Sequence, residues 1–217
     1  GELWRRQRPA WAQAMTGGGL AILYLAIFAA FSLYELIDPV PAFAIFALIT
    51  AGAGIQTLRH ESVAVAVLGI VGGFATPLML QDNLPEAGLL LAYVLLLDVG
   101  VLGLSTRRNW RWFTLLALIG SLADYGLWAA EFNPRDNLLL GQGGITLIFL
   151  LFTGVTSVTH ILQNRRVEPA DYGLMVLNAA AFFGISYGQL WDDFRPWMGG
   201  FTVAMAGLYA GLAALAI

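Results

Sequence analysis

The chain has no cysteine and no lysine, and it has few charged residues of any kind. Without cysteine, disulfides, thiolate chemistry and cysteine-ligated metals are excluded. Charged residues make up 12% of the 217 residues, whereas a soluble domain carries roughly 25%. A surface with half that charge density cannot all face water. With 59% hydrophobic residues and a mean hydropathy of +0.73, the composition indicates a protein embedded in a lipid bilayer.

Long apolar runs fill most of the chain. A helix that crosses a hydrocarbon core of about 30 Å needs about 20 mostly apolar residues. Segments of this length alternate with short loops that contain Pro, Asn or Asp. The predicted spans are 15–35, 40–58, 62–80, 87–105, 110–130, 138–162, 170–190 and 197–217. Because the runs do not alternate and are rich in Leu and Ala, the sequence predicts an all-α, polytopic transmembrane bundle of about eight helices.

The arginines distinguish the two sides of the membrane. When the loops are assigned alternately to two sides, nine arginines fall on the side of the N-terminus, and only Arg135 and Arg195 fall on the other. Basic residues accumulate in cytoplasmic loops. The sequence therefore predicts that both termini are cytoplasmic. It predicts a basic cytoplasmic segment over residues 1–14 and one transmembrane helical domain over residues 15–217.

Two carboxylates fall inside predicted spans, Asp98 in the fourth and Asp124 in the fifth. An Asp at the centre of a transmembrane helix costs roughly 2.5–3.5 kcal/mol on insertion scales, so such a residue is a functional candidate by default. The tight Arg-rich turn between these spans predicts antiparallel neighbours, with the carboxylates roughly 6 Å apart in depth. No Arg lies at matching depth. Both are candidates for a pathway that handles protons or cations, and the alternative is a neutral Asp hydrogen-bonded to a neighbouring helix.

Other polar residues give weaker signals. Asn178 lies within the seventh span, where it either borders a pathway or forms an interhelical hydrogen bond. The arginines of the turn between spans four and five can bind anionic lipid headgroups or simply fix the topology. They are Arg107, Arg108 and Arg111. With His60 and His160 as the only histidines, no metal site is expected, and no cofactor is expected either.

Small residues recur at a spacing that suits close helix packing. Three Gly-x-x-x-Gly pairs lie inside predicted spans: Gly69/Gly73, Gly184/Gly188 and Gly207/Gly211. In a bilayer, helices associate through such small faces because lipid supplies no hydrophobic drive between them. Packing within the chain is the favoured interpretation, and a dimer seam is the alternative.

Three segments occur in an order that resembles a known family. They are Gly17–Leu25 (GGGLAILYL), Gly72–Leu78 (GGFATPL) and Tyr93–Gly100 (YVLLLDVG), the last followed by the turn Arg107–Trp112. In this order the chain resembles the bacterial predicted-membrane-protein family known as domain of unknown function twenty-three thirty-nine, most clearly over residues 15–130.

The resemblance implies the bacterial cytoplasmic (inner) membrane as the location. Members are long proteins with many spans, so we expect this chain to be a piece of a longer one. The resemblance brings no activity and no functional residues. It also implies an uncharged polar residue, often Asn, at the position of Asp98, which argues against a family-wide proton role for this carboxylate.

Two functions remain open from the sequence. The first is a transporter or permease-like module for a small solute or lipid, with the intramembrane acids near its pathway. The alternative is a structural or accessory subunit that packs against other membrane subunits or the rest of a longer chain. Catalysis is not expected, because no His-Glu-x-x-His and no intramembrane aspartyl protease signature occurs. Nucleic-acid binding is not expected, because the arginines lie in short juxtamembrane loops.

Overall fold

The computed structural model describes residues 9–60, 62–80, 86–108, 111–134, 136–163 and 169–215. Within these residues the regular structure consists of eight α-helices and two short helical turns, without strands. The helices are α1 (Pro9–Phe28), α2 (Pro39–His60), α3 (Val63–Met79), α4 (Ala87–Arg108), α5 (Arg111–Phe132), α6 (Leu138–Gln163), α7 (Pro169–Phe194) and α8 (Met198–Leu215). A π-helical turn (Ala29–Leu33) extends α1, and a 3-10 turn (Arg195–Trp197) precedes α8. The predicted all-α architecture of about eight helices is confirmed.

The helix ends follow from local residue chemistry. Pro39 and Pro169 each occupy the first position of a helix, where the missing N–H would have no helical partner. Ser62 caps α3, and its Oγ accepts a hydrogen bond from the backbone N–H of Val65 at 3.4 Å. Asn133 follows the last residue of α5 with φ 41°, the left-handed conformation that commonly ends a helix.

Most of the helices are long enough to cross a bilayer. By length and hydropathy, six of the described helices qualify as membrane spans. The two shorter ones, α3 and α8, have 17 and 18 residues. A span needs at least about 17 residues, so these two helices lie near the lower limit of the range.

The chain folds as two compact units, Gly1–Trp128 and Ala129–Ile217. The first contains α1 to α4 and most of α5, and the second contains α6 to α8. In the second unit α7 packs against both α6 and α8, and the rings of Phe149 and Phe182 stack at 4.3 Å between centroids. The basic segment over residues 1–14 and the single domain over residues 15–217 stay predictions, and residues 1–8 lie outside the described part.

Helix α3 is central to the first unit, because α1, α2 and α4 all pack against it. Its glycines allow this close approach. A Cβ added at Gly69 would lie 2.8 Å from Ala53 Cβ, and one added at Gly73 would lie 2.9 Å from Thr50 Cγ2. The predicted packing role of the Gly69/Gly73 pair is therefore confirmed within the chain.

The tightest approach to α3 comes from an aromatic ring of α1. Tyr24 lies against Gly72 so closely that a Cβ there would overlap the ring. The hydroxyl of Tyr24 is hydrogen-bonded to Thr50 Oγ1 on α2 at 2.7 Å, and its ring stacks on Phe46 at 5.9 Å. Tyr24 thus connects α1, α2 and α3, and its side chain is buried between them.

We expect Gly72→Ala to destabilise the first unit by about 1–3 kcal/mol, as overpacking of a well-packed core does. The added methyl would displace the Tyr24 ring and break its hydrogen bond to Thr50. Gly18→Ala is the matched control, because a Cβ at Gly18 meets no described atom within 4 Å. Thermal unfolding of the protein in detergent micelles measures both variants, and equal melting temperatures would contradict the proposed contact.

Candidate functional site

Three side-chain hydrogen bonds join α4 and α5 along their length. They are Ser105 Oγ with Thr114 Oγ1 at 2.7 Å, Ser121 Oγ to Asp98 Oδ1 at 2.5 Å, and Trp128 Nε1 to the carbonyl oxygen of Ala87 at 3.1 Å. The α5 members follow one another at intervals of seven residues, which keeps them on one face of the helix along an antiparallel seam. The prediction that Asp98 and Asp124 lie on antiparallel neighbouring helices is confirmed.

Asp98 lies in the middle of this seam and is fully buried. Ser121 Oγ lies 2.5 Å from its Oδ1 and 2.8 Å from the carbonyl oxygen of Ala117. A serine hydroxyl has a single proton, so it can donate to only one of these two acceptors at a time. Asp98 Oδ1, the Ser121 hydroxyl and the carbonyl oxygen of Ala117 all have a partner when Asp98 is protonated. The carboxyl then donates to Ser121, and Ser121 donates to the carbonyl oxygen of Ala117.

Asp124 lies three residues after Ser121 on α5, one turn further along the same face. The rise over three residues is about 4.5 Å, close to the depth difference expected from the sequence. Asp124 is 2% exposed. In the described part of the chain, Oδ2 of Asp98 and Oδ2 of Asp124 are both buried without a hydrogen-bond partner. The seam therefore contains two open acceptor oxygens about one helical turn apart.

A hydrogen bond from α4 replaces a backbone hydrogen bond that is missing within α3. Pro77 has no N–H, so the carbonyl oxygen of Gly73, four residues earlier, has no helical donor. The hydroxyl of Tyr93 on α4 donates to this carbonyl at 2.9 Å. Both Tyr93 and Pro77 are buried, so no water replaces the missing helical bond. Tyr93 therefore links α4 to α3 at the carbonyl that has no donor within its own helix.

Asn178 lies in the second unit, separate from the acid pair. It is 3% exposed on α7, and its Nδ2 donates to the carbonyl oxygen of Phe149 and to Thr153 Oγ1 on α6, both at 3.0 Å. A further bond joins the same two helices, from Gln142 Nε2 to Ser186 Oγ at 2.9 Å. These contacts agree with the packing alternative for Asn178, and a role in a pathway stays a prediction.

The lipid-headgroup candidates lie at the turn between α4 and α5. Arg107 and Arg108 end α4, and Arg111 begins α5. Their side chains lie outside the described part, so headgroup binding stays a prediction. Among the described residues, no three His, Asp or Glu side chains come together as a possible metal site.

Sequence reasoning identified both acids but missed the hydroxyl groups around them. Ser121 is an ordinary residue in an apolar run, and Tyr93 was noted only as the first residue of the segment Tyr93–Gly100 and not as a hydrogen-bond donor. One signal was available, because Thr114, Ser121 and Trp128 recur every seven residues on one predicted span. That period would have indicated a polar face opposite α4.

Apolar helices of membrane-spanning length, joined by short loops, define a polytopic α-helical membrane protein. The chain matches the family described as predicted membrane protein (DUF2339) over residues 1–217 and belongs to that family. The resemblance predicted from the sequence is therefore confirmed, and the protein is embedded in a lipid bilayer. Neither a curated protein nor a solved structure matches the chain.

The segments that carry the family resemblance touch one another in the fold. Tyr24 of the first segment lies on Gly72 of the second. Tyr93 of the third segment donates to Gly73 of the second. The ring of Phe74, in the second segment, lies against Gly120 of α5, so closely that a Cβ there would overlap the ring. These segments therefore form one contiguous core in the first unit.

We expect Tyr93→Phe to cost about 1–3 kcal/mol, the usual penalty for a buried carbonyl left without a donor. In a Pro77→Ala background the same change should cost less than about 0.5 kcal/mol, because the alanine N–H restores the helical bond to Gly73. Thermal unfolding of the wild type, the two single variants and the double variant in micelles gives the coupling energy between positions 77 and 93. Additive effects would show that Tyr93 does not serve the carbonyl of Gly73.

We also expect Ser121→Ala to destabilise the α4–α5 seam by about 1–3 kcal/mol, because it leaves the buried Asp98 carboxyl without a partner. Asp98→Asn is the comparison variant, since its Nδ2 can donate to Ser121 while Ser121 donates to Ala117. It should unfold close to the wild-type temperature. A large loss in Asp98→Asn with no loss in Ser121→Ala would mean that the carboxylate charge, and not the hydrogen bond, stabilises the seam.

Proposed function

We propose that this protein is a transport module of the membrane that moves a small solute or lipid, with Asp98 and Asp124 handling a proton or cation. The observation that supports this most is the pair of buried carboxyl oxygens without hydrogen-bond partners in the described residues. A buried acceptor left open costs about 1–3 kcal/mol, so a residue kept only for packing gains nothing from it. Intramembrane acids with open acceptors are typical of proton and ion pathways.

Short interhelical contacts around the acids support the same proposal. Ser121 can exchange its donor between Asp98 and the carbonyl of Ala117, since both acceptors are within 2.8 Å. One helical turn separates Ser121 from Asp124. The hydroxyl can therefore donate to Asp98 when this carboxyl is ionised and to the carbonyl oxygen of Ala117 when the carboxyl is protonated, without movement of either helix.

The proposal includes the orientation and the location. The arginine asymmetry of the loops favours cytoplasmic positions for both termini, and family membership favours the bacterial cytoplasmic membrane. We propose no enzymatic activity, because the acids lack the sequence context of intramembrane aspartyl proteases.

The alternative is a structural or accessory subunit of a larger membrane complex. Gly-x-x-x-Gly pairs on α7 and α8 favour it, since a Cβ at any of the four glycines meets no described atom within 4 Å. The pairs are Gly184/Gly188 and Gly207/Gly211. Faces of this kind pack helices in bilayers, and here no described residue contacts them.

We expect reconstituted protein to carry protons and the double variant Asp98→Asn/Asp124→Asn to carry none. Liposomes loaded with the dye pyranine and given a potassium diffusion potential with valinomycin report the proton flux directly. Asp38→Asn is the control, because Asp38 is an exposed loop carboxylate, and it should retain wild-type flux.

Unchanged flux in the double variant would exclude the acids from any proton pathway. If the wild type carries no protons, the alternative is tested by gentle isolation of the protein from native membranes and identification of the proteins that accompany it. Co-purification of other subunits at fixed stoichiometry would then identify the protein as a component of a complex.

A further inference from the structure

A cavity of about 340 Å³ lies between α2, α3 and α4 of the first unit. Its floor is buried and consists mainly of apolar side chains from α3 and α4. The main floor residues are Ile70, Phe74, Tyr93 and Val101. Its mouth is formed by exposed residues, including Ile55 at 56% and Leu96 at 69% exposure. The size is at the low end of the range for ligand pockets, roughly 300–1,000 Å³.

The mouth is continuous with the apolar helix surface that faces the bilayer. Ile55 and Leu96 belong to α2 and α4, which are both long and apolar enough to span the membrane. Ala51 and Gly100 complete the mouth with small residues that leave it open. Since the protein is embedded in lipid, the cavity is an inward extension of an existing protein–lipid interface.

The polar groups in the cavity wall have no proton to offer a ligand. Three hydroxyls line it, and each donates its single proton to a backbone carbonyl of the protein. The bonds are Thr50 to Phe46 at 2.9 Å, Thr57 to Ala53 at 2.8 Å and Tyr93 to Gly73 at 2.9 Å. Among the described residues, no charged side chain lines the cavity. A sugar, amino acid or ion would lose its hydration here without compensation.

We infer that this cavity binds one acyl chain of a membrane phospholipid, which enters sideways from the bilayer between α2 and α4. The wall chemistry selects hydrocarbon, and the position of the mouth selects the bilayer as its source. A volume of this size accepts a single chain, so the headgroup and the second chain stay outside. The site goes beyond the proposed transport function, because it does not involve Asp98 or Asp124.

The test uses protein reconstituted in vesicles of phosphatidylglycerol that carries a diazirine on one acyl chain. After illumination, mass spectrometry locates the crosslinked residues. Lipid that merely surrounds the protein labels exposed side chains such as Leu25 and Leu96. An inserted chain also labels the cavity floor, and we expect crosslinks at Phe74 and Tyr93, which are 8% and 6% exposed.

Two substitutions can fill the cavity from positions where a side chain has room to begin. A Cβ at Gly54 or Gly100 meets no described atom within 4 Å, and both residues line the cavity. Gly54→Leu and Gly100→Leu should each reduce labelling of the floor roughly tenfold, because a filled core leaves no room for a chain. Gly103→Leu is the matched control on the same helix. A Cβ at Gly103 also meets no described atom within 4 Å, and Gly103 is not among the lining residues, so floor labelling should stay at the wild-type level.

Crosslinks confined to exposed residues in the wild type would overturn the inference, as would undiminished floor labelling in the filled variants. A parallel experiment adds diazirine-bearing palmitate to vesicles of unlabelled phosphatidylglycerol. If palmitate labels the floor and the phospholipid does not, the phospholipid assignment is wrong. Asp98→Asn/Asp124→Asn should keep full floor labelling, so a failure of the transport proposal is distinguishable from a failure of this site.

Discussion

In the hydrocarbon core of a bilayer, no water is present to hydrogen-bond a backbone carbonyl that lacks a donor. Pro77 leaves such a carbonyl at Gly73, in the central helix of the first unit. Tyr93 supplies the missing donor. This requirement positions α4 against α3, and the absence of a side chain at Gly73 lets Thr50 and Leu97 close around the same point. Tyr24 then connects α1 and α2 to the adjacent Gly72. The contacts of four helices thus meet at Gly72 and Gly73, beside the carbonyl that Pro77 leaves without a helical donor.

Interhelical hydrogen bonds help to set the register of the remaining neighbouring helices. Lipid supplies no hydrophobic drive between helices, so small-residue packing and hydrogen bonds together decide how two helices align. On α5 the seam residues recur every seven positions, and on the α6–α7 pair Gln142 and the carbonyl of Phe149 show the same interval. Each unit therefore contains an antiparallel pair aligned by hydroxyl, amide or carboxyl groups.

The acid pair differs from these alignment bonds in one respect. Asp98 uses one oxygen to align α4 with α5 and leaves the other open, and Asp124 adds a second open oxygen one turn away. Alignment alone would be achieved by Ser121 with an amide in place of Asp98. These open oxygens are the observation behind the proposed handling of a proton or cation at this seam. The cavity of α2, α3 and α4 is lined by other residues of α4, such as Leu97 and Val101, and neither acid is among its lining residues.

Hydropathy and length by themselves determined the membrane class, the eight helices and most of their ends, because a bilayer admits few alternatives to a helix of about 20 apolar residues. The largest difference is at α1, which begins at Pro9 and not at the predicted residue 15. The same run lengths identified Asp98 and Asp124 as exceptional. The partners of those residues were beyond the sequence, because which face of one helix meets which face of another depends on packing between residues far apart in the chain. Ser121, the link from Tyr93 to Gly73 and the cavity of α2, α3 and α4 exist only once the helices are assembled. Tertiary structure alone therefore decided which polar groups are satisfied and which remain open.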